Sequence, residues 1–126
     1  FINERCLISV KKDKISYFGF IDTSGKTVVE PLYLNATNFN GNFAIATKLY
    51  TNKLGKDVLN KNVVKYESSE VLIDKLGVIQ DNLTEIKGII LFKKYTKNPP
   101  KITSKFLSKK LIAIFGEDEK WEIKKI

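Results

Sequence analysis

The stretch 17–46, YFGFIDTSGKTVVEPLYLNATNFNGNFAIA, constrains the fold more than any other part of the chain. Phe18 to Ile21 is apolar apart from Gly19, which marks a strand whose backbone something must approach closely. In Asp22-Thr23-Ser24-Gly25 the Asp takes the first turn position and the Gly the fourth. There the carboxylate can hold backbone N–H groups, and the Gly supplies a positive φ. Thr27, Val28 and Val29 resume a β-branched strand, and Pro31 is expected to end it because proline cannot donate to a ladder. Tyr33 and Phe39 bracket a polar corner, Gly41 turns the chain, and Phe43-Ala44-Ile45-Ala46 opens the next strand. The stretch reads as antiparallel hairpins.

Phe18, Gly19, Ile21, Asp22, Gly25, Lys26, Val28, Val29, Pro31, Tyr33, Phe39 and Gly41 fall at the positions of a known unit. In this the chain resembles the bacterial WG repeat, also called KWG. That unit runs aromatic-Gly-apolar-Ile-Asp, Gly-Lys, a Val/Ile pair, Pro-x-Tyr, Phe, Gly and a short strand. The resemblance is specific over 17–46 and degenerate elsewhere. It implies a β-hairpin repeat in a larger bacterial protein, a family recognised by its sequence more than by an activity.

Elsewhere, short β-branched and aromatic runs alternate with Gly, Asn, Asp and Lys clusters. Leu7-Ile8-Ser9-Val10, Phe43-Ala44-Ile45-Ala46 and Leu111-Ile112-Ala113-Ile114 each follow a Phe, at Phe1, Phe39 and Phe106. Each precedes a second strand: Phe18-Gly19-Phe20-Ile21, Leu76-Gly77-Val78-Ile79 and Trp121-Glu122-Ile123-Lys124. The set reads as three degenerate copies of one hairpin in a single all-β domain, approximately 1–38, 39–105 and 106–126. Gly19 and Gly77 are then expected at equivalent places, with Glu122 standing where they would be. Asp22 and Asp81 are paired in the same way.

The connections at 11–14 and 116–119 have hairpin length. The middle one, near 51–69, reads as an inserted hairpin turning at Asn60-Lys61-Asn62. Residues 84–95 can form one long strand or two with a kink at Gly88, stopped by Asn98-Pro99-Pro100. The best helix candidate is 102–110: Thr103 or Ser104 could cap it, and Ile102, Phe106 and Leu107 share one face. The expected core holds Phe18 or Phe20, Ile21, Val28, Tyr33, Phe39, Ile45, Val78, Ile79, Ile112 and Ile114.

The 126 residues suffice for one domain with a modest core. Starting at Phe1 and lacking Met, the sequence reads as part of a longer protein. No signal-peptide pattern is visible, and 87–92 is only strand-sized, so no membrane span is expected. Cys6 is the single cysteine, read as a small hydrophobe; it fits a reducing cytoplasm, although export of the parent chain stays open.

Several chemistries lack their parts. Gly25-Lys26-Thr27 resembles the end of a phosphate loop, but five residues separate it from Gly19, and Val28-Val29-Glu30-Pro31 cannot open the required helix. The chain has no His, which removes the usual general base and the nucleophile pairs built on it. Without His, one Cys cannot build a zinc site, and no cofactor is expected. Glu117-Asp118-Glu119 reads as a solvated turn. The Asn35 and Asn82 sequons matter only in a eukaryotic secretory route.

The net charge of +8 suggests a polyanion, yet Arg5 is the only Arg and the lysines are scattered. Aromatics interleave with Lys at Tyr17-Phe18, Phe92-Lys93-Lys94-Tyr95 and Lys120-Trp121, as in stacking platforms, but strand alternation favours a core role for them. The sequence therefore points to a non-catalytic module that binds another protein or a further part of its parent chain. A basic module that binds nucleic acid is the alternative.

Overall fold

The computed structural model describes residues 2–56, 62–89 and 98–126. Its strands are β1 (Cys6–Lys12), β2 (Ile15–Ile21), β3 (Thr27–Ala36), β4 (Phe43–Lys56), β5 (Asn62–Asp74), β6 (Ile79–Asn82), β7 (Lys87–Gly88), β8 (Lys105–Phe106), β9 (Leu111–Phe115) and β10 (Trp121–Lys125). The first six form one antiparallel meander in chain order, with β7 added against β5. The last three form a separate sheet, ordered β10-β9-β8. The described residues are all-β, with antiparallel pairing throughout.

Local chemistry sets each corner. Asp13 and Lys14, both at positive φ, make the two-residue turn that the twist of β1 and β2 prefers. Three wider turns share one hydrogen-bond frame. In each, the first residue's N–H donates to the fifth's carbonyl, and the fourth's N–H donates back to the first's. The frames are Asp22/Gly25/Lys26 (2.9 and 3.0 Å), Asp74/Gly77/Val78 (3.0 and 3.0 Å) and Gly116/Glu119/Lys120 (2.8 and 3.1 Å). The fourth residue has φ of +86°, +83° and +61° respectively.

That frame corrects a sequence expectation. Gly77 is the counterpart of Gly25 and not of Gly19, which lies mid-strand opposite Ile8. Asp74, not Asp81, takes the role of Asp22: its Oδ1 accepts from Leu76 N and Val78 N, each at 2.9 Å. Leu76-Gly77 is thus a turn and not a strand, and the strand that pairs with β4 is β5.

Three further expectations change. Pro31 does not end its strand; β3 continues to Ala36 through a bulge, where the register steps from Phe20↔Val29 to Phe18↔Tyr33. Residues near 51–69 continue β4 and β5, whose ladder runs from Phe43↔Asp74 to Lys56↔Asn62; Asn60 and Lys61 lie outside the described residues. The expected helix at 102–110 is absent. Thr103 N and Ser104 N donate to the Glu70 carboxylate, and Leu107 N donates forward to Leu111 O, which makes a β8–β9 turn. Of 84–95, only Lys87–Gly88 is strand among the described residues, and 90–95 lies outside them.

The core lies on both faces of the large sheet. One face buries Phe20, Val29, Ala36, Phe39, Ala44, Ala46, Val71 and Ile73. It is enclosed because the sheet curls: Arg5 Nε donates to Lys75 O at 3.0 Å, and the Gly77 turn sits against Val29. The other face presents Ile45, Leu72 and Leu83 to Ile112 and Ile114 of the small sheet. Of the expected core, Phe20, Phe39, Ile45, Ile112 and Ile114 are buried, while Ile21, Val28, Tyr33 and Ile79 are partly so. Val78 is 55% exposed, because it follows a turn glycine instead of standing in a strand interior.

Candidate binding surface

The motif residues build the scaffold. A Cβ on Gly19 would lie 2.3 Å from Val29 O and 2.7 Å from Pro31 N, so the bulge folds directly over that glycine. Pro31 sits in the bulge, where a missing N–H costs no ladder bond. Phe39 meets Phe20 edge to face, with centroids 4.7 Å apart, and Gly41 holds the Asn40–Phe43 turn at φ +67°. Tyr33 is half-buried, and that burial pushes its phenol up. Each of these residues accounts for a turn, a bulge or a core contact.

Asp22 Oδ1 accepts from Ser24 Oγ at 2.6 Å, Ser24 N at 2.9 Å and Lys26 N at 3.0 Å. The Ser24 hydroxyl, then the Lys26 amide, holds its carboxyl below the ordinary 3.8. A folded-state pKa below the unfolded one adds stability above the unfolded value, which is lost as pH falls through the folded one. Asp22→Asn should therefore flatten the acid limb of stability against pH. Melting temperatures at pH about 3 and about 7 check this; a variant that keeps the full wild-type acid sensitivity would refute it.

The outer face of the small sheet is different in kind. Alternation sends Ile112 and Ile114 inward, so Leu111, Phe115, Trp121 and Ile123 face outward, 37%, 38%, 50% and 56% exposed. Phe115 pairs directly with Trp121, with centroids 5.0 Å apart at 61°, and Lys105 Nζ lies 5.6 Å from the Trp121 ring centroid. The expectation that Trp121 serves as core is overturned. Phe92 and Tyr95 lie outside the described residues.

Two grooves open on the surface, one of them beside this sheet. Confluent hollows of about 460 and about 320 Å³ lie between the 83–88 segment and the 116–119 turn. Another, of about 400 Å³, lies over the β3 bulge, rimmed by Leu32 and Leu76, which are 64% and 70% exposed. Among the described residues no group of three or more Cys, Asp and Glu side chains could hold a metal ion. Among the same residues no helix is long and apolar enough to cross a membrane.

The fold and these surfaces define an all-β, antiparallel hairpin protein with an exposed aromatic sheet face. Within it, residues 18–49, from β2 through the Asp22 turn and β3 into β4, match the family model described as WG containing repeat. The chain carries a WG repeat at that stretch. No curated protein matches the chain, and no solved structure matches it.

Proposed function

We propose that this chain is a non-catalytic module of a larger bacterial repeat protein, and that it binds another protein through the outer face of β8–β10. The observation that carries this is the exposed Leu111-Phe115-Trp121-Ile123 cluster. Trp and other aromatics on such a face are the anchors that dominate protein interfaces. The three shared turn frames support reading β1–β3, β4–β6 and β8–β10 as three degenerate copies of one meander. The absence of His and the structural role of each motif residue support a non-catalytic module.

Lys105 over Trp121 favours a second reading, a stacking platform for single-stranded nucleic acid. Against it stand Glu117, Asp118 and Glu119, whose carboxylates repel phosphate beside the same ring pair. A labelled oligonucleotide titrated at low and physiological salt, with Trp121 fluorescence followed, separates the two. Scattered lysine–phosphate contacts should give weak binding that collapses with salt. Micromolar binding that survives physiological salt and quenches Trp121 would move the assignment to nucleic acid. A protein partner, once isolated, should be lost by the Trp121→Ser variant; retention at full strength would sink the protein-face reading.

A further inference from the structure

We propose that the groove between the 83–88 segment and the 116–119 turn is a second binding site, and that it takes a lysine-rich segment of a protein partner. Glu85, Glu117 and Glu119 line its wider part, and Asp118 and Glu122 its continuation. Glu70 lies there too but is already held by Thr103 and Ser104. Among the described residues, Lys87, paired with Glu117 at 3.4 Å, and Lys101 are the basic ones along it, so carboxylates outnumber them there. In a chain of net charge +8 this is a local reversal of sign.

A second, independent observation lies on the floor. Thr47 lines the groove, is 4% exposed, and its Oγ1 is buried without a partner. Buried hydroxyls are ordinarily satisfied, so an orphan on a groove wall marks where an incoming group completes the bonding. A lysine ammonium fits that position: it brings three donors on a slender stem that can reach a recessed acceptor. The carboxylates are spread along the groove instead of converging as a metal set, which suits an extended chain with spaced charges. Low-dielectric walls focus their field, so the site attracts a polycation that the molecule as a whole repels.

This site shares only Phe115 with the outer sheet face, and its test is separate. A fluorescent oligolysine peptide is titrated by anisotropy at about 50 mM salt, with oligoglutamate as control. Wild-type protein is expected to bind oligolysine. The Glu85→Gln/Glu119→Gln variant, both sites exposed, is expected to weaken it about tenfold with an unchanged melt. Thr47→Val is expected to weaken it, and Trp121→Ser to leave it unchanged. No wild-type binding, equal binding by the double variant, or equal binding by Thr47→Val would overturn the proposal. A salt-sensitive dimer in sedimentation that Glu85→Gln/Glu119→Gln dissolves would overturn the choice of occupant and assign the groove to a second copy of this chain.

Discussion

Phe39→Ala should lower stability by about 3–5 kcal/mol, the cost of emptying an enclosed aromatic site. Phe39 is 3% exposed and packs edge to face on Phe20, which is fully buried. Aromatic pairs contribute about 0.5–1.5 kcal/mol beyond the area they bury. The residue also ties the chain's beginning to the sheet, because Asn3 Nδ2 donates to its carbonyl at 2.7 Å. Since small domains hold only about 5–15 kcal/mol in total, the variant should lose a large share of its stability. Urea titration should show a lower midpoint at an unchanged slope. A loss under about 1 kcal/mol would mean that the curled face collapses around the gap, contrary to close packing there.

The Asp22 turn was legible in the sequence because its chemistry is local: one Asp, one Gly, three residues apart. The same Asp-x-x-Gly spacing recurs at Asp74 and Gly77, and it would have set the register of the second copy. The misreading came from flanking side chains. Leu76-Gly77-Val78-Ile79 imitates Phe18-Gly19-Phe20-Ile21 in pattern while the backbone around its glycine turns. Val71-Leu72-Ile73, the block that fills both faces of the sheet, carries no period-two signal because both of its faces are buried. Alternation alone favours a core role for the aromatics beside lysines, Trp121 among them. Alternation fixes which side chains share a face, but not which of the two faces another sheet covers.

The helix expected at 102–110 failed for a reason that no local reading could supply. The backbone N–H groups of its candidate caps, Thr103 and Ser104, donate to a carboxylate 33 and 34 residues away in sequence, and tertiary bonding overrode a modest propensity. That carboxylate was itself illegible: a lone Glu in Ser68-Ser69-Glu70-Val71 reads as solvated, yet Glu70 is 8% exposed.

Glu70→Ala should therefore be among the most damaging single changes outside the apolar core. Its carboxylate accepts from Thr103 Oγ1 at 2.7 Å, Ser104 N at 2.8 Å and Thr103 N at 3.0 Å. Its own backbone is held by the 83–84 segment, through Leu83 N and Thr84 Oγ1. One side chain thus staples the approach to the small sheet onto the large one. Removing it orphans the buried Ser104 N–H, while the exposed Thr103 donors can turn to water, so a loss of about 1–3 kcal/mol is expected. Glu70→Gln keeps one acceptor oxygen and should lose less. Hydrogen exchange locates the damage: the Thr103 and Ser104 amides should lose protection first, β9 and β10 next, and Ala44 to Ala46 last. If Glu70→Ala melts like wild type, or loses protection first at Ala44 to Ala46, the small sheet is held by its other contacts, Ile112 and Ile114 and the Asn40 and Asp81 side chains among them. The Trp121 face and the acidic groove would then owe their placement to those contacts and not to this buried carboxylate.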